Sequence, residues 1–151
     1  MSIEDLLNRQ QIADVLYRYC RAMDRIDRDV ALACWHPGGT DSHGEAYSGS
    51  AEGFVDWVLP LHGKVTGTRH TITNITIGID GDKAETECYW TVQMFDDSRP
   101  PAERNATAVG RYLDTFERID GRWAIRHRES VRERFWFEGT ASGSPQPRPS
   151  E

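Results

Sequence analysis

An aspartate near the end of the first predicted helix, Asp24, is the residue of this sequence that most strongly suggests chemistry. Apolar side chains recur at helical spacing from Ile3 to Met23, which predicts one amphipathic helix that turns a single face to the core. The residues of that face are Ile12, Ala13, Leu16, Tyr17, Cys20 and Met23. Asp24 falls within one edge of this face, and Tyr19 lies at the other edge. The carboxylate is therefore expected to point inward, where it needs a cationic or hydrogen-bonding partner.

His70, on a later strand, is the candidate partner for Asp24. Such a pair suits proton abstraction, because the carboxylate fixes the tautomer of the imidazole and stabilises the imidazolium once a proton arrives. Tyr19 would then donate its hydroxyl to a substrate oxygen or to a leaving group. Structural alternatives stay open for both: a hydrogen bond that only satisfies two buried polar groups, and a core tyrosine bonded to a backbone carbonyl.

The elements that must position these residues are predicted to be helical in the first part of the chain. Asp27 is expected to cap a short second helix that runs to Trp35. A brief hairpin is predicted between Thr40 and Tyr47. A third helix should begin after Ser50 and end or bend at Pro60.

From Thr68 onward the apolar pattern has the period of a strand. The predicted strands are Arg69 to Ile79, with a bulge near Thr73 and Asn74, then Ala84 to Met94, Asn105 to Arg118 and Trp123 to about Phe137. Helices followed by strands joined through hairpins predict an α+β fold, in which a curved antiparallel sheet wraps around the N-terminal helices and encloses a pocket.

Two strand faces carry further expectations. Small side chains on one face of the third strand, at Ala106, Ala108 and Gly110, are expected to leave space for a cavity. On the last strand His127 is expected to point inward. The arginines of that strand are expected to face solvent or another subunit, and they are Arg126, Arg128, Arg132 and Arg134.

Composition limits the classes of function. A chain of 151 residues with 28% charged residues has the size and content of one soluble domain, predicted here as residues 1–138 with a disordered Gly/Ser/Pro-rich tail at 139–151. The net charge of −6 argues against a nucleic-acid partner. Neither a membrane-spanning run nor a signal-peptide pattern is present in the sequence, so no membrane partner and a cytoplasmic location are expected. Since no phosphate-binding loop or metal-ligand spacing is found, neither cofactor nor metal is expected.

Four segments carry a resemblance to a known family. They are RYCRAMD at 18–24, CWHPGGTDSHG at 34–44, TRHTITN at 68–74 and YLDTFERIDGRWAI at 112–125. With the order of elements, they resemble the SnoaL-like branch of the nuclear transport factor 2-like superfamily over nearly the whole chain except the tail. This superfamily includes dehydratases and isomerases as well as non-catalytic binding domains, so the resemblance implies the fold more firmly than the activity.

The resemblance also implies roles for individual residues. Asp24 and His70 occupy the positions of the aspartate–histidine pair of the dehydratase-like members, and Tyr19 matches a tyrosine that contacts a substrate oxygen. Arg132 matches a substrate-binding arginine of one dehydratase. The second acid or histidine of many dehydratases is missing from the strand around Gln93.

The pocket itself is expected to be apolar. His43, beside Asp41, could line its mouth as a second acid or base, although a surface position is equally compatible with the sequence. Three aromatic residues could form its wall, Trp35, Phe54 and Trp57.

Two hypotheses follow for the function. The first is a cofactor-independent lyase or isomerase acting on a small apolar metabolite, polycyclic and aromatic compounds included, with His70 as the base, Asp24 as its orienting partner and Tyr19 as hydrogen-bond donor. The second is a non-catalytic small-ligand-binding or assembly domain of the same fold. A homodimer or homotrimer is expected in either case.

Overall fold

The computed structural model describes residues 1–139, which form three α-helices, one 3₁₀ turn (Pro101–Glu103) and a six-stranded sheet. The helices are α1 (Ile3–Arg25), α2 (Arg28–Leu32) and α3 (Ala51–His62). The strands are β1 (Trp35–Ser42), β2 (Ser48–Ser50), β3 (Gly67–Asp80), β4 (Lys83–Phe95), β5 (Asn105–Ile119) and β6 (Arg122–Phe137). The α+β prediction is confirmed. The part of the predicted tail that follows residue 139 lies outside the described residues.

The sheet has the order β2-β1-β6-β5-β4-β3. Strands β3 to β6 pair as antiparallel neighbours, and β1 pairs with β2 in the same way. The exception is β1 and β6, which run parallel. The curved sheet does not close, and α1 packs across its inner face against β3 and β6.

Helix α1 begins at a capping box, in which Ser2 and Asp5 each accept a hydrogen bond from the other's backbone N–H. Of the predicted apolar residues Ile12, Leu16, Cys20 and Met23 are buried and Ala13 is half-buried, and the core face is centred on Leu16, Tyr19 and Met23. The prediction that Tyr17 faces the core is wrong. Tyr17 is 51% exposed, because it lies about 100° around the helix from Leu16.

The second helix is shorter than predicted. It ends at Leu32, and Trp35 begins strand β1 instead of closing the helix. The bulge predicted in β3 is present, since the pairing with β4 shifts register between Thr73 and Thr76 and Asn74 has a positive φ of 55°.

The space predicted above Gly110 is filled by a neighbouring side chain. A Cβ at Gly110 would lie 2.6 Å from Cζ2 of Trp90, its partner on β4, and 2.0 Å from the carbonyl oxygen of Val131. Gly110 thus gives room to an indole ring that covers the inner face of the sheet, and not to a cavity.

The two predictions for the inner face of β6 are also wrong. A bulge lies in this strand, since Thr115 pairs with His127 while the next residue, Phe116, pairs with Ile125. Arg126 is the extra residue, and the side chains from His127 to Arg132, where a second bulge follows, are displaced to the opposite face. Arg128 is consequently fully buried, whereas His127 lies on the outer face and bonds Thr40.

None of the helices within residues 1–139 is long and apolar enough to cross a membrane.

Candidate active site

The Asp24 carboxylate lies in the last turn of α1, directly before the residue that ends the helix. Ile26 closes α1 in the left-handed region (φ 55°), and its N–H bonds the carbonyls of Ala22 and Met23. The carbonyl end of a helix carries partial negative charge and disfavours a carboxylate there. Asp24 therefore requires compensation from outside its own helix.

Strand β3 supplies that compensation. The Thr68 hydroxyl donates to Asp24 Oδ1 at 3.0 Å, and the backbone N–H of His70 donates to both carboxylate oxygens at 3.1 and 3.0 Å. The shortest contact joins His70 Nδ1 to Asp24 Oδ1 at 2.6 Å. The structure thus brings together the two residues that the sequence pairs.

These bonds set the charge of the carboxylate. Partial burial raises the pKa of Asp24, but the hydrogen bonds from the side chain and backbone of His70, with that of Thr68, lower it by more. The net pKa lies below the ordinary value, so Asp24 is ionised at neutral pH.

His70 is held in one tautomer by this carboxylate. Its side chain is only 5% exposed. Because ionised Asp24 can only accept a hydrogen bond, Nδ1 of neutral His70 carries the proton and Nε2 carries a lone pair. No residue within 1–139 donates to this Nε2. His70 is therefore arranged as a proton acceptor.

His62, the last residue of α3, lies beside His70, with ring centroids 5.4 Å apart. Its Nδ1 is 3.3 Å from the carbonyl oxygen of Met23, to which it donates. Burial lowers the pKa of His62, and the neighbouring His70 and His43 lower it further. A neutral His62 adds no positive charge next to the base.

The inner end of the site is built on a fully buried ion pair. Arg128 on β6 donates to both oxygens of Asp114 on β5, at 2.8 and 2.7 Å. The rings of Tyr19 and Tyr112 lie 4.1 and 3.9 Å from the guanidinium carbon, on which they stack as cation–π partners. Burial opposes the charge of Arg128, but the Asp114 carboxylate outweighs it and raises the pKa of Arg128. One guanidinium nitrogen, Nη1, has no hydrogen-bond partner within residues 1–139.

Tyr19 connects this ion pair to the histidine. Its buried ring is edge-on to His70 at 6.5 Å between centroids. Burial raises the pKa of Tyr19, and the nearby Arg128 offsets only part of that effect. Its hydroxyl is therefore a neutral donor at physiological pH.

The residues predicted to bind substrate differ in their exposure and lie in different parts of the fold. Trp35 and Phe54 are buried, and His43 stacks on Phe54 at 4.3 Å between centroids. Trp57 is 37% exposed and stacks on Tyr47. Arg132 is exposed, opposite Gly110 at a second bulge of the β5–β6 pairing. Their binding roles remain predictions.

A family profile for the SnoaL-like domain matches residues 4–129. The chain belongs to the SnoaL-like domain family. No curated protein sequence matches it significantly.

Solved structures of low sequence identity share the fold of this SnoaL-like domain. A provisionally named scytalone dehydratase from Novosphingobium aromaticivorans superposes with a TM-score of 0.81 at 17% identity, covering 99% of this chain and 100% of its own. A type 2 hexachlorocyclohexane dehydrochlorinase gives 0.81 at 16% identity, with 95% and 97% covered. A Nostoc punctiforme protein of unknown function with a cystatin-like fold gives 0.70 at 20% identity, with 84% and 92% covered.

Sequence reasoning missed the buried ion pair of this SnoaL-like domain, although one signal was available. Asp114 stands between Tyr112 and Phe116 on the inward face of β5, and a carboxylate on an apolar strand face requires a cation. The position of Arg128 could not be read in the same way, because the bulge reverses the alternation before it. Among residues 1–139, no group of three or more His, Cys, Asp or Glu side chains is arranged to hold a metal ion.

Proposed function

We propose that this protein is a cofactor-independent lyase or isomerase that removes a proton from a small, largely apolar metabolite. The observation that carries the proposal is the 2.6 Å contact between His70 Nδ1 and an ionised Asp24, which leaves Nε2 of a buried imidazole as a proton acceptor. A surface imidazole with the same partner would gain much less from it, because solvent screens the carboxylate.

Each group has a role in this mechanism. His70 Nε2 takes a proton from a carbon next to a carbonyl or a leaving group, and Asp24 balances the imidazolium charge. The electron pair moves into a new double bond, either onto the carbonyl oxygen or with expulsion of the leaving group. Tyr19 would donate a hydrogen bond to the substrate oxygen, and Nη1 of Arg128 is a second donor with no partner in the described chain.

The structural neighbours support this type of chemistry. A dehydratase and a dehydrochlorinase, as they are named, remove water and hydrogen chloride respectively, and both reactions require loss of a proton. Their identity to this chain is too low to transfer a substrate. We therefore propose the reaction type and a small apolar substrate, aromatic compounds included.

The test uses nitrobenzisoxazole, an apolar compound whose ring opens to a coloured phenolate when a base removes one proton. His70→Ala is expected to lower the rate of ring opening about 10²–10⁴-fold, the usual contribution of a positioned base. Asp24→Asn should lower it as well, because the imidazolium loses its counter-charge. The matched control is His127→Ala, which removes a histidine from the outer face of the sheet. Equal rates for His70→Ala and the wild type would exclude His70 as the base.

A non-catalytic ligand-binding domain is the second candidate, and one observation favours it. Asp24 also accepts hydrogen bonds from the His70 backbone and from Thr68, so the carboxylate anchors β3 to α1 whatever the imidazole does. In that case Asp24→Asn should lower the thermal unfolding temperature strongly, while no base-dependent ring opening is measured for the wild type.

A homodimer or homotrimer remains our expectation. The end of β6 exposes three consecutive aromatic side chains, Phe135, Trp136 and Phe137, each 41–45% exposed in the single chain. Exposed apolar groups in a row favour a contact with another surface. Light scattering of the purified protein would give the number of subunits. The cytoplasmic location stays a prediction from the sequence.

A further inference from the structure

A groove beside the Asp24–His70 pair opens at the edge of the sheet. It lies between α1 and β3, the last strand of the sheet, and its volume is about 420 Å³. This volume is within the range of small-molecule sites. Its lining residues are Tyr17, Cys20, Arg21, Asp24 and Arg25 from α1 and His70, Thr71 and Ile72 from β3. A molecule that fills the groove therefore contacts both the proposed base and the arginines beside it.

The groove has an apolar part. Tyr17, Arg21 and Asp24 lie on one face of α1, because they are four and three residues apart. Tyr17 is 51% exposed, and Ile72 on β3 is half-buried. An aromatic ring and an aliphatic side chain thus line an accessible groove, where they can pack against the apolar body of a ligand.

Two cationic side chains line the groove without an acidic partner. Arg21 and Arg25 are exposed, and neither forms an ion pair with another residue of 1–139. Asp24 does not neutralise them, since its carboxylate oxygens accept hydrogen bonds from Thr68 and His70. The arginines that do form ion pairs in this part of the chain are Arg28, Arg99, Arg111, Arg118, Arg126 and Arg128.

The stability of α1 does not account for both arginines. Arg25 lies in the last turn, where the partial negative charge of the helix end favours a cation. Arg21 lies one turn earlier, where this effect is small. Like charges four residues apart also repel each other on a helix surface. An anion bound between Arg21 and Arg25 would remove that repulsion.

The charge of the groove favours a carboxylate over a phosphate as the anion. The planar guanidinium group of arginine matches either group. Ionised Asp24 lines the same groove, so a single negative charge on the ligand is repelled less than a double one. The net charge of −6 on the whole chain gives no general attraction for anions, so binding would depend on these two arginines.

We propose that this groove binds the substrates of the protein and that they are monocarboxylates with an apolar, ring-containing body. Arg21 and Arg25 hold the carboxylate, and Tyr17 and Ile72 pack against the body. The two arginines are therefore specificity-determining residues. The inference rests on the proposed function for the role of His70 as the base, but the binding of the carboxylate is measured independently of turnover.

The first experiment compares two ligands of equal shape by isothermal titration calorimetry on the full-length protein. 2-Naphthoate carries a carboxylate, and 2-naphthamide has the same rings without the charge. The wild type is expected to bind 2-naphthoate about tenfold more tightly, the effect of one hydrogen bond to a charged group. The double variant Arg21→Gln with Arg25→Gln should bind both ligands equally. The matched control is Arg18→Gln, an exposed arginine of α1 that does not line the groove and should keep the preference.

The second experiment connects this binding to the proposed base. 2-Naphthoate is expected to compete with nitrobenzisoxazole in the ring-opening assay, with an inhibition constant equal to its calorimetric dissociation constant. That inhibition constant should rise about tenfold in the double arginine variant, for the same reason as the binding. Circular dichroism checks the fold of each variant.

The outcomes separate the two proposals. Equal affinity of the wild type for both naphthalene ligands, or a preference that persists in the double variant, overturns the role of the arginines. Inorganic phosphate that displaces 2-naphthoate at equal concentration overturns the carboxylate assignment. Binding of 2-naphthoate that does not compete with nitrobenzisoxazole overturns the assignment of the groove as the substrate site. Ring opening that does not depend on His70 contradicts the proposed function alone, because calorimetry still measures the anion preference.

Discussion

Removal of the Asp114 carboxylate with Arg128 left in place is expected to lower the free energy of unfolding by about 3–5 kcal/mol. Both side chains have no exposed surface, and two hydrogen bonds of 2.8 and 2.7 Å join them. In Asp114→Ala the guanidinium keeps its charge but loses its only anionic contact in the described chain. The cost is that of an uncompensated buried ion, and not that of a lost surface salt bridge.

Removal of both charges should behave differently. The double variant Asp114→Leu with Arg128→Met replaces the ion pair by apolar groups of similar volume, an exchange that is often neutral or stabilising by about 1–4 kcal/mol. Here the guanidinium also stacks on Tyr19 and Tyr112, and loss of that contact costs about 2 kcal/mol. We therefore expect the double variant to be about as stable as the wild type, and clearly more stable than Asp114→Ala.

Urea unfolding followed by tryptophan fluorescence measures both variants. A loss of 3–5 kcal/mol is a large part of the 5–15 kcal/mol that stabilises a typical domain, as a rough guide. Asp114→Asn, which keeps the shape of the side chain, provides a milder variant if Asp114→Ala does not fold. A cost below about 1 kcal/mol for Asp114→Ala, or a double variant as unstable as the sum of the single variants, would refute the reasoning.

Three further predictions concern stability and reactivity. Gly110→Ala should destabilise the fold by about 1–3 kcal/mol through its clash with Trp90 and the backbone, measured by urea unfolding; an unchanged midpoint would contradict it. The pKa of Asp24 is lowered by folding, so its stabilising effect is present above the ordinary carboxyl pKa and is lost as the pH falls through the folded-state value. Asp24→Asn should therefore flatten the acid side of the melting temperature against pH, and an unchanged slope would disprove this. Burial raises the pKa of the Cys20 thiol to about 12 and those of Cys34 and Cys88 to about 11, so native protein should react slowly with a thiol reagent at mildly alkaline pH and fast in denaturant. Equal rates in both states would be inconsistent with burial.

The order of elements and the contact of Asp24 with His70 were accessible from the sequence for a physical reason. Period-two alternation and helical periodicity are local properties of the sequence. A carboxylate that this periodicity places on the core face of a helix must have a hydrogen-bonding or cationic partner, so the pattern itself predicts one. The bulge in β3 was visible for the same reason, since the apolar phase changes between Ile72 and Ile75. Such signals depend on nearest neighbours along the chain.

The inner end of the site, around Arg128 and Asp114, could not be predicted from the sequence, because it depends on residues that are far apart in the chain. The bulge at Arg126 leaves no change of hydrophobic phase beside it that would reveal it, because residues 126–130, directly after Ile125, are all polar. The side chain of Trp90 fills the space at Gly110 only because the two residues pair across β4 and β5. The register between neighbouring strands determines both the burial of Arg128 and the filling of the space at Gly110. A single sequence specifies register only weakly where no apolar face defines it.

The parallel pairing of β1 with β6 has a consequence for the order of folding. Strands β3 to β6 are joined by hairpins or short connections and can pair while their neighbours in sequence are close. Thr40 pairs with His127 instead, so β1 gains its place in the sheet only after the C-terminal strand exists. Contacts of such long sequence separation are slow to form because loop closure costs entropy before any bond repays it. During synthesis on the ribosome, β1 with its Asp41 would therefore join the sheet last, and a chain truncated before β6 would carry Asp24 and His70 without the buried Arg128 that stacks on Tyr19.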